Sequence, residues 1–406
     1  MARLLNAADY RAAARRRLPR GLFDYIDRGT EDEVALRGLR QSLDAIVLRP
    51  SVLAGAAAPD PASVILGQPH AAPLVIAPTA LAGIVARDGE IALARAAAAT
   101  GIPFCVSTQS VTTVEAIRQQ VADARLWFQL YFWNDRPASD ALVRRAAEAG
   151  CDCLVLTADT PVSPKREYNV ANGFAVPLRP GIVNLFDIAL HPRWALSVLS
   201  GFLGGGGLPS YGHYPEGFRR NVLSSDAAQG LALDPGLEWR DLEHLRRIWP
   251  GKLVLKGVLC PADADRALNC GADAVVVSAH GARNFDALPP PAAVLPEVVK
   301  ATGGRMTVIA DSGVMRGSDV LKYLALGADA VMIGRLPLWG LAIGGEDGAR
   351  KILELLVAEM TTGMAFLGAK EVDDLRGRAG FGDARRDMRW ALLQNVGLMR
   401  DFPFPR

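Results

Sequence analysis

Cysteine is scarce: Cys105, Cys151, Cys153, Cys260 and Cys270 are the only five in 406 residues. Their odd number, and their placement beside or within apolar runs, suits reduced thiols in a cytoplasmic protein and argues against a disulfide frame. Cys151-Asp152-Cys153 has no second pair and no neighbouring His, so zinc is excluded and no metal is expected. No sign of charge dominates, with 45 Lys and Arg against 43 Asp and Glu, and that balance points away from nucleic acid. The arginines between Arg11 and Arg20 alternate with alanines at helical spacing and read as a solvated helix face. Long apolar runs are missing as well. The richest, Val183 to Leu203, is broken by Asp187, His191, Pro192 and Arg193 and falls short of the ~20 apolar residues of a membrane span. The first residues carry no apolar leader core.

Apolar content, by contrast, is ample: half the chain is hydrophobic and 22% is charged. A large core is therefore available, enough for two average domains or one large α/β barrel. Eight short apolar runs alternate with amphipathic stretches. The runs are Pro73–Ala77, Phe104–Ser107, Trp127–Tyr131, Leu154–Thr157, Leu253–Gly257, Ala274–Ser278, Thr307–Asp311 and Ala330–Gly334. They are continuous rather than alternating, the pattern of strands covered on both faces. Helices are expected between them, and Gly271-Ala272-Asp273-Ala274 and Gly327-Ala328-Asp329-Ala330 repeat one helix-to-strand turn. Eight such units predict a closed (β/α)8 TIM barrel, with an open doubly wound sheet as the alternative. The chain then reads as one domain. Residues 1–72 form a helical cap and 73–341 the barrel, with an insertion of about 175–240 after the fourth strand. Residues 342–406 hold a helix near Gly348–Leu367 and a tail.

Chemistry in such barrels sits at the C-terminal strand ends. The sixth end reads Ser278-Ala279-His280-Gly281-Ala282-Arg283-Asn284-Phe285-Asp286, a basic imidazole three residues from a fixed cation. That pair offers a proton acceptor beside an anion clamp. The other ends supply Pro78, Thr79 and Ala80; Ser107 and Gln109; Gln129 and Tyr131; Thr157 and Asp159; and Lys256. The last two ends carry Asp311, Gly313 and Arg316, then Gly334 and Arg335, the glycines and cations of a phosphate site. Lys256 suits either a Schiff base or the stabilisation of negative charge on a cofactor ring. With Gln129 and Thr157 beside it, a flavin would satisfy all three groups together with the phosphate site.

These motifs, in this order, resemble the FMN-dependent 2-hydroxy acid oxidases and dehydrogenases, a family that includes glycolate oxidase and the lactate and mandelate dehydrogenases. The likeness runs from Leu18-Pro19-Arg20-Gly21-Leu22-Phe23-Asp24-Tyr25 to about Leu341, and it rests on Ala77-Pro78-Thr79-Ala80, Trp127-Phe128-Gln129-Leu130-Tyr131, Thr157-Ala158-Asp159-Thr160-Pro161, Lys256-Gly257 and the three loops above. Within the insertion, Leu190-His191-Pro192-Arg193-Trp194 looks most like the membrane-associated mandelate dehydrogenases. The resemblance implies bound FMN and oxidation of an (S)-2-hydroxy acid to the 2-oxo acid. His280 would be the base and Asp159 its stabiliser. Arg283, Arg166 and Tyr25 would hold the carboxylate, Tyr131 the hydroxyl oxygen, and Lys256 the reduced flavin. Pro78, Thr79, Ala80, Ser107, Gln129, Thr157, Ser278, Asp311, Gly313, Arg316, Gly334 and Arg335 would line the cofactor. Gln109 falls where the substrate side chain lies, and reads equally as a solvent-facing amide.

Three departures stand out: Ala279 in place of the usual Asn, Met315 in place of the first of two adjacent arginines, and Asn284-Phe285 in place of Gln-Leu. Met315 leaves the phosphate to Arg316, Arg335 and backbone N–H groups, so weaker FMN retention is expected. Electrons would pass to a quinone or to oxygen. Apolar Ile182, Val183, Leu185, Phe186, Ile188, Leu190, Trp194, Leu196 and Leu199, beside Arg193, suit either an interfacial membrane segment at the cytoplasmic face or a lid or subunit contact. The resemblance also implies a homo-tetramer. Two other functional classes remain, a Lys256 Schiff-base lyase and a catalytically silent flavin-binding barrel. The silent barrel should have lost His280, Arg283, Tyr131 or Asp159, and all four are present.

Overall fold

The computed structural model describes residues 4–174, 181–204, 209–218 and 231–381. Eight parallel strands close into a barrel: β1 (Leu74–Ile76), β2 (Phe104–Ser107), β3 (Leu126–Leu130), β4 (Cys153–Thr157), β5 (Lys252–Val258), β6 (Ala274–Val277), β7 (Thr307–Ala310) and β8 (Ala330–Ile333). β8 pairs with β1, so no edge is left open. Each strand lies within one residue of its apolar run, because a run apolar on both faces has only one place to go. One set of side chains fills the barrel, among them Val75, Cys105, Trp127, Cys153, Val155, Val254, Val276 and Ile309. The alternate set packs outward under the helices, as Leu74, Phe104, Phe128, Leu154, Leu253 and Val275 do. A hairpin of Ser63–Ile65 and Gln68–His70 plugs the N-terminal end, with Ile65 and Leu66 packed against the interior set.

Barrel helices begin and end on local signals. Asp135 caps the Arg136–Glu148 helix by accepting from the Ala138 N–H at 3.0 Å, and Pro261 opens the Pro261–Asn269 helix. The repeated helix-to-strand turn has Gly271 and Gly327 at φ +86 and +107, just past their helix ends.

Over the C-terminal mouth lie three cap helices, α1 (Ala7–Arg17), α2 (Arg20–Asp27) and α3 (Val34–Asp44). The N-terminus of α3 is capped from a distance. Asp286, the last residue of the His280 motif, accepts from Val34 N at 3.0 Å and Ala35 N at 2.9 Å. Ala279 packs beside Ala35, Leu39 and Ala282, so the first departure from the family pattern forms part of the cap contact. A short strand, Ile46–Leu48, pairs with Ala379–Phe381 and ties the cap to the far end of the described chain.

Two features differ from the sequence reading. The C-terminal helix runs over Arg335–Leu367, with a break at Gly344 and Gly345, rather than starting near Gly348. Its second half packs against the preceding barrel helix, Gly317–Ala325, where Gly317 approaches Leu356 and Met360 and Gly363 approaches Leu321. In the sequence, residues 335–347 read as no helix, because burial of Leu336 to Ala342 on several sides erases helical periodicity. The insertion contributes the helices Ile182–Leu190 and Pro192–Gly204. Trp194 turns inward and donates to Ile84 O at 2.9 Å. Ile182, Val183, Leu185, Phe186, Leu190 and Leu196 stay exposed, Ile182 at 87%. No helix among the described residues is long and apolar enough to cross a membrane. The side chain of Leu199 and the tail after Phe381 lie outside the described residues.

Candidate active site

The barrel's inward set changes character at its C-terminal end. Two residues beyond interior Cys105, Trp127, Val155, Val254, Val276 and Ile309 come Ser107, Gln129, Thr157, Lys256, Ser278 and Asp311. Because strand side chains repeat every two residues, six strands deliver six polar groups to one layer. Above this layer opens a cavity of ≈ 400 Å³, into which the cap contributes Tyr25, Ile26 and Asp27.

On one wall stands His280. Its Nδ1 lies 2.7 Å from Asp159 Oδ1. Burial pushes the Asp159 carboxyl up, but His280 and Lys256 outweigh it and hold the group down at about 2. A carboxylate only accepts, so Nδ1 carries the proton and the Nε2 lone pair is left for the cavity. Burial lowers the imidazole below its ordinary value, against the pull of Asp159, so the ring is neutral at pH 7. His280 has a left-handed backbone, φ +52, and Ser278 Oγ accepts from its N–H at 3.0 Å. Asn284 braces the pair, donating to Asp159 O at 2.9 Å and to Thr160 Oγ1 at 2.8 Å.

Lys256 sits deeper. Its Nζ donates to Ser278 Oγ at 2.7 Å and lies 3.2 Å from Asp311 Oδ2 and 3.9 Å from Asp159 Oδ2. Burial pulls its amine down, yet Asp311 and Asp159 prevail and raise it to about 12. The strand bulges at Gly257, where φ is +106 and a Cβ would meet the Asp159 Cβ at 2.5 Å. Only glycine lets these two charges approach.

Three arginines bring positive charge without a carboxylate partner among the described residues. Arg166 donates to Arg283 O at 3.0 Å and to Asn284 Oδ1 at 3.4 Å. Arg283 donates to Tyr25 O and lies 4.9 Å over the Tyr25 ring. Arg335 donates to Gly281 O at 2.8 Å and to Ile26 O at 3.1 Å. Burial and the neighbouring Arg283 lower both Arg166 and Arg335 to about 10. Three such cations around one cavity call for anions. Tyr131, half-buried, is raised to about 12 by desolvation and Asp159 and remains a neutral phenol bonded to Thr160.

Most residues named from sequence meet here. Pro78, Thr79, Ala80, Ser107, Gln109, Gln129, Tyr131, Thr157 and Lys256 line the cavity, as do Tyr25, Arg166, His280, Arg283, Asp311, Gly313, Gly334 and Arg335. Asp159 and Ser278 stand one layer back, holding His280 and Lys256. Gln109 is on the wall rather than in solvent, and its amide bonds the Tyr214 hydroxyl. Arg316 is the correction. It is no part of the cavity wall: its Nη1 donates to Glu359 at 2.6 Å and its N–H to Asp319 at 3.0 Å. Glu359 is drawn from the C-terminal helix, a partner invisible in local sequence. Sequence reading also missed Asn284 as a brace and, apart from Tyr25, the cap's share of the wall. A polar residue directly after Arg283 was the available signal for Asn284; the cap's other wall residues, Arg11, Ile26, Asp27, Leu36 and Arg40, carried none.

A sequence model of the FMN-dependent dehydrogenases matches residues 14–379. An L-lactate dehydrogenase of Caulobacter vibrioides is 42% identical over 376 residues, covering 90% of this chain and 95% of its own. Among solved structures, a monotopic membrane protein, (S)-mandelate dehydrogenase, superposes with a TM-score of 0.87 at 35% identity, covering 93% of this chain and all of its own. A mandelate oxidase solved with (S)-mandelic acid gives 0.79 at 32% identity, covering 94% and 99%. The fold and site define a flavin-dependent barrel oxidoreductase. The chain belongs to the FMN-dependent dehydrogenase family, whose members oxidise 2-hydroxy acids.

The cavity suits that cofactor. Gln129 Nε2, Thr157 Oγ1 and Thr79 Oγ1 are buried on its wall without a hydrogen-bond partner among the described residues. The N–H groups of Gly313 and Val314 are likewise unpaired there. Buried polar groups left unpaired are costly, and a flavin ring with its phosphate supplies what they lack.

Proposed function

We propose that this cavity oxidises an (S)-2-hydroxy acid to its 2-oxo acid, with His280 as the base. The observation that carries the reading is the neutral His280, oriented by Asp159, beside two arginines bonded only to neutral groups. Arg166 and Arg283 take the substrate carboxylate, and Tyr25 walls it in. Tyr131, held neutral, donates to the hydroxyl oxygen. His280 Nε2 takes a proton as C2 is oxidised, and Asp159 stabilises the imidazolium that results. FMN, when bound, accepts the two electrons. Gln129, Thr157 and Lys256 would hold its ring, the lysine adding the positive charge that favours a reduced flavin.

Two observations speak against a Schiff-base lyase. Lys256 is raised to about 12, so its amine is protonated, and three hydrogen-bonding or ionic partners occupy it. The exposed apolar face of the Ile182–Leu190 helix supports peripheral membrane attachment, and with it a quinone acceptor. None of that helix lines the cavity, which disfavours a lid. The test is anaerobic incubation of FMN-loaded protein with L-lactate or (S)-mandelate, followed by analysis of the acid. Stoichiometric 2-oxo acid supports the reading. Borohydride trapping of substrate on Lys256, with no oxo acid formed, would replace it with the lyase.

A further inference from the structure

The end of the cavity beyond Gly334 is where the loops after β7 and β8 and the start of the Arg335–Leu367 helix meet, the place for the FMN phosphate. A phosphomonoester carries roughly −1.5 to −2 charges at pH 7 and calls for more than one cation. Arg335 is one. Met315, in the loop after β7, also lines the wall and brings no charge. Arg316 is bound to Glu359 outside. Arg40 also lines the wall, but it is consumed: Nε and Nη2 reach Asp44, Nη1 and Nη2 reach Asp319, and Nη1 reaches Gly313 O. With Arg166 and Arg283 assigned to the substrate carboxylate and Lys256 to the flavin ring, one wall cation is left.

That cation is Arg11, on α1. Its Nε and Nη2 grip both oxygens of Asp27, and its Nη1 has no hydrogen-bond partner among the described residues. Asp27 lines the same cavity and is 8% exposed. Left alone, it would be an uncompensated carboxylate beside a dianion. We propose that Arg11 is the second cation of the FMN phosphate site, neutralising Asp27 with one edge while Nη1 meets the phosphate in place of the charge Met315 lacks. The N-terminal helix thereby becomes part of the cofactor site. The inference rests on FMN occupying this cavity.

Riboflavin has the same ring and no phosphate, and it separates a phosphate contact from a structural one. Flavin-free protein is titrated with FMN and with riboflavin, following flavin fluorescence. In Arg11→Met, the account expects FMN affinity to fall roughly tenfold or more, as for loss of a charge-assisted contact, with riboflavin affinity unchanged. Adding Met315→Arg should restore FMN binding in the Arg11→Met background and raise it much less in the wild-type chain. Equal weakening of both flavins, no weakening of either, or an equal gain from Met315→Arg in both backgrounds would overturn the proposal. Wild-type protein that binds neither flavin would instead overturn the FMN reading of the cavity, and this inference with it.

Discussion

At the scale of single residues, the proposed reaction depends on one imidazole remaining neutral and one carboxylate remaining charged. Burial lowers His280 and its partners hold Asp159 at about 2, so both conditions are met at neutral pH. With His280 as the proposed base, the active form has lost the His280 proton. The rate of flavin reduction should therefore be flat near pH 7 and fall on acidification through a pKa below the ordinary ~6.5 of histidine. Tyr131 and Lys256, both at about 12, leave the alkaline side to Arg166 at about 10, well above neutral pH. A pre-steady-state pH profile checks this, and an acid limb above the ordinary histidine value would contradict it. His280, Arg283 and Lys256 were legible in sequence because each sits at a strand end where a charge has no structural excuse. Arg316 misled because an arginine in a phosphate-type loop looks the same whether it faces the cavity or a distant Glu359. Arg11 was hidden for the opposite reason: its alanine-interleaved helix looks solvated, and nothing local reveals Asp27.

At the scale of elements, the eight strands were readable because both faces are apolar and each polar residue at the mouth follows an interior one by two positions. The cap was readable as a helical segment but not in how it docks, since its grip on the barrel is a set of long-range bonds such as Asp286 to the start of α3. The β5 bulge links the two levels. Gly257→Ala adds a Cβ at φ +106 and within 2.5 Å of the Asp159 Cβ. Backbone strain alone costs on the order of 1–3 kcal/mol, and relief of the clash moves Asp159 off His280. The variant should melt several degrees lower and reduce its flavin at least tenfold more slowly, by roughly the effect expected when a base loses its orienting partner. An unchanged melting temperature and rate would mean that the bulge is incidental.

At the scale of the whole molecule, the barrel, cap and insertion divide the labour. The barrel holds the chemistry and the cap closes its mouth. Beyond them, the insertion exposes an apolar face on the Ile182–Leu190 helix. Ile182, Val183 and Phe186 are so exposed that changing all three to serine should leave the melting temperature within about a degree, since surface positions tolerate change. The same variant should lose most of its co-sedimentation with lipid vesicles if that face lies in a bilayer surface. Retained sedimentation would move the attachment elsewhere.

The central claim is that His280 drives oxidation of a 2-hydroxy acid by the bound flavin, and rapid anaerobic mixing tests it directly. FMN-loaded wild-type protein and His280→Gln are each mixed with L-lactate and with (S)-mandelate while the visible flavin absorbance is followed. The account predicts bleaching of the wild type by at least one acid. The variant should remain yellow, with FMN still bound and reduction slowed by a factor on the order of 100 to 10,000 or more. Bleaching of the variant at the wild-type rate would contradict the account.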